Sequence, residues 1–232
     1  MVMENAILKR QEIKYYINYV DYHSIASRIS SIFSRDFHSG NDGGYTVRSL
    51  YFDNKSNKDY YQKIGGIETR KKIRMRIYNY DSDPVKMEIK GKFNNFIRKE
   101  SFFLRKKDIN KIISGDHEVL LEYENPAAMK IYKFFLMDFY SPVVLIDYRR
   151  EAYSYDLNQI RITFDRCLRK TETGIDDLFV QKHMSGVLDD RKIIMEIKFN
   201  NTLPAWIKNI LQLPRFERCS ISKYTLSRYM ER

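Results

Sequence analysis

Cysteine is nearly absent from this chain of 232 residues: only Cys167 and Cys219 occur, at no metal-ligand spacing. With no secretory signal at the start of the sequence either, a disulfide framework is not expected, and a reducing, cytoplasmic setting is. Long apolar runs are lacking too. The stretch 131–146 is broken by Lys133 and Asp138, so nothing reaches the roughly 18 to 20 residues of a membrane-spanning helix, and membrane association is expected only through a partner. Repeats, low-complexity tracts and Pro/Gly/Ser linkers are also missing, which leaves one domain over 1–232, with its core at about 8–230, as the expected organisation. Acid is in short supply: 41 Lys and Arg stand against 30 Asp and Glu, a net charge of +11 that favours a polyanionic partner without saying which polyanion.

What is present is a succession of alternating segments. Residues 10–19 read as a strand, and a helix follows from Asp21 as N-cap to Phe33 with Ile25, Ile29 and Ile32 on one face. After a turn at 38–44, residues 45–52 read as a strand and 56–64 as a short helix. Strands at 70–80, 85–92 and 96–104 are separated by Asp81-Ser82-Asp83-Pro84 and Phe93-Asn94-Asn95, links short enough to require an antiparallel meander. Helices at 107–113 and 126–139 come next, the second with Asn125 as cap and Pro126 in its first turn. Strands at 142–153, 159–168 and 191–200, a helix at 204–211 and a last turn near Ser222 complete the reading, an α+β, mainly antiparallel protein.

The register of charge carries the chemistry. Residues two apart share a face of a sheet, so Lys72, Arg74 and Arg76 face one way and Ile73, Met75 and Ile77 the other. The segment 86–92 repeats this with Lys86, Glu88, Lys90 and Lys92, and 192–198 does so with Lys192, Glu196 and Lys198. Arg161, Thr163 and Asp165 form a weaker version opposite Ile160, Ile162 and Phe164. A solvated sheet face ordinarily mixes signs, because like charges directly opposite repel. Cations repeated around solitary acids are therefore expected to face an anion, and a meander of this length could close into a barrel with that face inward. Arg supplies bidentate donors and Lys a compact charge, both suited to phosphate oxygens. Glu12, Glu88 and Glu196 each precede a lysine by two residues; such a carboxylate either neutralises its neighbours or holds Mg²⁺ or Mn²⁺ against phosphate.

The ordered set Arg10-Gln-Glu12-Ile-Lys14-Tyr15, Arg48-Ser-Leu-Tyr51-Phe52-Asp53, Lys72-Ile-Arg74-Met-Arg76-Ile-Tyr78, Glu88-Ile-Lys90, Tyr148-Arg-Arg150, Arg161-Ile-Thr-Phe-Asp165, Glu196-Ile-Lys198 and Ser222-Lys223-Tyr224 resembles the catalytic domain of the vacuolar transporter chaperone (VTC) family, a branch of the CYTH-like triphosphate tunnel metalloenzymes. The resemblance implies a closed antiparallel eight-stranded β-tunnel with a cation-lined interior and helices outside. It also implies polyphosphate synthesis, in which the γ-phosphoryl group of ATP passes to a growing chain with Mn²⁺ or Mg²⁺. By position it assigns catalytic roles to Arg74, Arg76, Arg150 and Arg161, and substrate binding to Lys14, Lys90, Lys99, Arg105, Tyr148, Lys198, Ser222 and Lys223. Glu196 falls at the metal ligand, and Arg98 competes with Lys99 because the preceding loop differs in length.

Two departures qualify the match. Arg10 stands where many tunnel enzymes carry the first of two glutamates, which favours the polymerase branch; Ser220 stands where the polymerases have a further lysine. Hydrolysis of tripolyphosphate or a nucleoside triphosphate, and polyphosphate binding without turnover, remain as alternatives. Nucleic acid is not expected, because the aromatic residues lie mostly opposite the charges or on helices instead of interleaving with them. His23, His38, His117 and His183 have no partner pattern and read as surface or structural.

Overall fold

A computed structural model describes residues 10–36, 39, 43–81, 84–94, 96–189 and 191–229; His38 and the turn residues Ser82, Asp83 and Asn95 lie outside them. The elements are β1 (Arg10–Ile17), α1 (Tyr19–Ser30), β2 (Ser34–Arg35), β3 (Tyr45–Asp53), α2 (Lys58–Ile64), β4 (Arg70–Tyr78), β5 (Val85–Phe93), β6 (Phe96–Leu104), α3 (Lys106–Ser114), α4 (Pro126–Asp138), β7 (Ser141–Tyr155), β8 (Ile160–Thr171), β9 (Ser185–Gly186), β10 (Ile193–Asn200), α5 (Ala205–Ile210) and α6 (Lys223–Ser227). Short 3₁₀ turns at Glu118–Glu122, Leu157–Gln159 and Leu213–Arg215 were not legible in the sequence. The cap of α1 is also corrected: the Asn18 side chain accepts from the Asp21 amide at 2.8 Å, which puts Asp21 inside the first turn.

The chain divides into two compact units. The first comprises Met1–Tyr45, Arg149–Cys167 and Leu188–Ile221. In it β1 pairs antiparallel with β10, and β10 with β8. Alternation sends Ile13, Tyr15 and Ile17, Ile193, Met195 and Ile197, and Ile160, Ile162 and Phe164 to one face, where Tyr22, Ile25 and Ile29 of α1 and Ile207 of α5 complete a core. The outer edge of β1 is taken up locally: Tyr15 bridges to Arg218, and the Cys219 amide donates to the Lys14 carbonyl at 2.9 Å.

The second unit comprises Thr46–Tyr148, Leu168–Val187 and Ser222–Arg232. Here β3, β4, β5 and β6 form an antiparallel meander in sequence order. Leu50, Phe52, Ile73, Met75, Ile77, Val85, Met87, Ile89, Phe102 and Leu104 face a core completed by Ile109, Ile112 and Ile113 of α3 and Ala128, Ile131 and Phe135 of α4. Helix α4 begins as expected, with the Asn125 side chain accepting from the Ala127 amide at 2.9 Å and Pro126 in the first turn. Helix α2 takes its cap from Asp53 at the end of β3, whose carboxylate accepts the Asp59 and Tyr60 amides at 3.1 Å each; Asn57, at φ 54°, supplies no side-chain cap.

The full hydrogen-bonded order is β1-β10-β8-β7-β3-β4-β5-β6, with β2 on β7 and β9 on β8. Ten strands replace the expected eight because two, β2 and β9, are two-residue additions off this path. The expected closure is corrected as well. Among the described residues the ladder is a path ending at β1 and β6, and segment 218–219 occupies the free side of β1. No helix among the described residues is long and apolar enough to cross a membrane.

Candidate functional site

The cations of the second unit stand in rows across the meander, on the face opposite the apolar core. Lys72, Lys90 and Lys99 lie directly opposite one another on β4, β5 and β6. In the next row Arg74 faces Glu88, and in the one after it Arg76 faces Lys86. Alternation sets Arg98, opposite Gly91, on the other face from Lys99.

Side chains from elsewhere in the same unit orient these cations. Lys72 Nζ donates to Ser222 Oγ at 2.6 Å. Arg74 Nε donates to Glu88 Oε2 at 2.6 Å and its Nη1 to the Tyr51 hydroxyl at 3.0 Å. Glu88 also accepts Lys99. The buried Arg76 donates to Ser49 Oγ at 3.1 Å and to the Tyr148 hydroxyl at 3.2 Å, and Lys223 Nζ lies 4.6 Å from the centre of the Tyr148 ring. Burial alone would raise the Glu88 carboxyl, but Arg74, Arg76 and Lys99 outweigh it and bring it down to about 2. Tyr51 follows the same logic: burial pushes its phenol up, and Arg74 and Arg76 pull it below its usual value. Burial lowers Lys99, with Glu88 opposing the shift.

Ser222 is positioned by a second role, because its hydroxyl caps α6 and accepts the Thr225 amide at 3.3 Å. Tyr224 in that helix is held by the buried Asp53 at 2.5 Å and stacks on Tyr51 with ring centres 5.1 Å apart. Arg105 belongs to a separate network at the start of α3, with Asp108 at 2.5 Å, Glu122 at 2.6 Å and the Tyr123 ring beneath it.

In the first unit the β1–β10 register alternates sign, whereas between β10 and β8 like charges meet, Lys198 lying opposite Arg161. Lys14 lies opposite Glu196, and Glu12 opposite Lys198. Lys14 Nζ meets Glu12 at 2.7 Å, Glu196 at 3.6 Å and the Ile221 carbonyl at 3.2 Å, while Lys198 Nζ lies 2.5 Å from Glu196. Burial acts to lower the Lys14 ammonium, yet Glu196 and Glu12 together raise it above its ordinary value. Arg150 holds Asp165 through two hydrogen bonds of 2.6 and 2.7 Å. Arg161 meets Asp36 at 2.5 Å and the Tyr45 hydroxyl at 3.1 Å. The placement of Arg150 depends on Gly44: a Cβ there would come within 2.8 Å of the Arg150 carbonyl oxygen, a distance only glycine allows.

The donor set fits a divalent ion in one way only. Glu196 is buried and its carboxylate already meets two ammonium groups. Among the described residues no group of three or more His, Cys, Asp or Glu is disposed to hold a metal. A hard cation at Glu196 would therefore draw most of its oxygen ligands from a bound anion.

The residues that sequence reasoning left without a role are Tyr51, Ser49 and Lys72. All three share the cation face by alternation, which was the available signal for them. His117, of the four histidines, packs on Phe135 with ring centres 4.5 Å apart, and burial lowers its imidazole.

Comparison with known proteins gives a family and a fold. The VTC domain family model matches residues 9–230. No curated protein sequence matches the chain. Among solved structures, a putative adenylate cyclase from Bacillus halodurans superposes with a TM-score of 0.51 at 13% identity, over 88% of each chain. A putative adenylyl cyclase from Hippeastrum, described as having a dominant triphosphatase activity, gives 0.55 at 11% identity, over 94% of this chain and 95% of that one. At such identities the likeness is one of fold.

Proposed function

This chain belongs to the VTC domain family, within the triphosphate-tunnel fold, and we propose that it is a polyphosphate polymerase that passes the γ-phosphoryl group of ATP to a growing phosphate chain. The observation that carries this reading is the row Lys72–Lys90–Lys99 beside Arg74 and Arg76. Three lysines set directly opposite one another on adjacent strands repel, and beside Glu88 at Lys99 an extended polyanion would offset that repulsion along the row.

In the proposed reaction an oxygen of the acceptor chain's terminal phosphate attacks the γ-phosphorus in line, the bond from that phosphorus to the β,γ-bridging oxygen breaks, and ADP leaves with the electron pair. Arg74, Arg76, Arg150 and Arg161 would neutralise charge on the transferring group. Lys14, Lys90, Lys99, Lys198 and Lys223, with Tyr148 and Ser222, would hold the phosphate chains, and Arg105 is kept as a substrate contact further from the rows. Glu196 would hold Mn²⁺ or Mg²⁺, which would supply positive charge against the phosphates. The protein supplies position and charge, with no covalent intermediate.

Hydrolysis is the second reading, favoured by the triphosphatase activity described for the Hippeastrum protein. Incubation with ATP and Mn²⁺, with and without a short polyphosphate primer, separates the two. Long chains and stoichiometric ADP support the polymerase. Free phosphate without chains sinks it, and tight polyphosphate binding without turnover leaves a binding module.

A further inference from the structure

The β5–β6 hairpin ends in a cluster that the phosphate chemistry does not use. Phe93 and Phe96 lie directly opposite each other at its tip, 62% and 77% exposed, and Ile97 beside them is 56% exposed. The residues between them, Asn94 and Asn95, are polar as hairpin turns ordinarily are, but the pair flanking them is apolar and gains nothing from burial there. The segment leading into β4 reaches the same end of the meander, because Arg70 lies opposite Lys92 and its guanidinium donates to the Ile67 carbonyl; Ile64 and Ile67 are also about half exposed, at 54% and 50%.

Cations stand immediately behind this apolar end. Arg70 and Lys92 share a row with Ile97, and Arg98 lies one residue further in, its side chain 78% exposed. The acids nearby are Glu68 in the entering segment and Glu100, which pairs with Arg98 at 3.1 Å and Lys130 at 2.9 Å.

We propose that this hairpin tip is a peripheral docking site for an anionic lipid surface, with Phe93, Phe96 and Ile97 entering the headgroup layer and Arg70, Lys92 and Arg98 meeting lipid phosphates. Two features select this occupant over a protein. Alternation directs Phe93 and Phe96 to one face of the hairpin and Ile97 to the other, so the apolar end is suited to a medium that surrounds it. The cations sit one and two residues behind the apolar end on flexible stems, the depth order of a membrane interface in which aromatic side chains enter and basic heads remain at the phosphates. The proposal does not rest on the polymerase reading: Phe93, Phe96 and Ile97 have no part in it, and Arg98, weighed against Lys99 in the sequence, stands on the other face of β6.

The test is flotation of the full chain with phosphatidylcholine vesicles, with and without phosphatidylglycerol. The wild type should float with the phosphatidylglycerol vesicles and poorly with phosphatidylcholine alone. The F93S/F96S double variant should lose binding by roughly tenfold or more, as expected for removing two partly inserted aromatic side chains, with an unchanged melting temperature and unchanged tripolyphosphate affinity. A second variant, K92S/R98S, should lose the preference for anionic vesicles. Wild type that stays unbound, or F93S/F96S that floats like wild type, overturns the proposal. So does concentration-dependent self-association without vesicles that F93S/F96S abolishes, since the tip would then be a contact between copies of the chain.

Discussion

Glu88 lies directly opposite Arg74 across the β4–β5 ladder, and its carboxylate accepts the guanidinium at 2.6 Å while also accepting Lys99. A buried acid thus fixes two of the cations proposed to meet phosphate, and would compete with phosphate for both.

Glu88→Gln should therefore separate stability from affinity. Removing one partner of a buried pair costs about 3–5 kcal/mol, reduced here to about 2 kcal/mol or more because Arg74 and Lys99 reach solvent. The same change leaves both cations short of negative charge. Tripolyphosphate should bind the variant more tightly and raise its melting temperature more than that of the wild type, as read by calorimetry and thermal shift. Weaker binding would show that Glu88 acts only by positioning Arg74.

The pH dependence of stability should contain two opposed contributions. The Glu88 carboxyl is lowered to about 2, from an ordinary 4.5, so its stabilisation is complete above about 4.5 and is lost as pH falls towards 2. Asp59 is raised to about 6, from 3.8, chiefly by burial and then by Asp53, with Lys71 opposing. Its Oδ1 accepts Tyr140 and Lys71, but its buried Oδ2 has no hydrogen-bond partner. A raised carboxyl destabilises the fold when ionised, so the penalty is present above about 6 and is relieved as pH falls from about 6 to 4. Denaturant titrations across this window should show the wild type gaining stability relative to D59N as pH falls. Parallel curves would rule the assignment out.

Arg48 should be among the most sensitive structural positions. Its fully buried guanidinium donates twice to Asp147 at 2.8 Å, and to the carbonyls of Leu178 and Val180 at 3.1 and 2.6 Å, fastening the segment that follows β8. Arg48→Ala leaves two carbonyls without its guanidinium and a buried carboxylate whose counter-charge is gone, with the Tyr80 hydroxyl at 3.2 Å still donating to it, so a loss of about 3–5 kcal/mol is expected in urea unfolding. Arg48→Lys should recover only part of it, since an ammonium cannot reproduce the planar fork.

Gly44→Ala tests the seating of Arg150. The added methyl meets backbone at 2.8 Å, so β7 must shift where it carries Arg150. Activity should fall together with phosphate affinity, while Arg48 and its segment in the other unit stay protected in hydrogen exchange. Unchanged kinetics would mean that Arg150 tolerates displacement.

Much of the fold was legible because burial imposes a period. Ile73, Met75 and Ile77, or Ile193, Met195 and Ile197, alternate with charge and could only be strands with one apolar face. Asn125-Pro126 fixed the start of α4 through local hydrogen bonding alone. The cation face was legible for the same reason, and the family resemblance named residues on it.

Register was decided elsewhere. Whether Lys90 faces Lys72 or an acid depends on which strands become neighbours and at what offset, which is a matter of long-range packing; the sequence of β10 and β1 gave no sign that Lys14 would stand opposite Glu196. Tertiary structure likewise turned Glu88 into an internal counterion and gave β1 the segment at 218–219 as its edge partner. The sequence by itself determined which side chains share a face, because side-chain direction is set by the backbone two residues at a time. Only the tertiary structure decided which charges meet across strands, because Coulomb interactions act between neighbours in space and a one-residue slip exchanges every one of them.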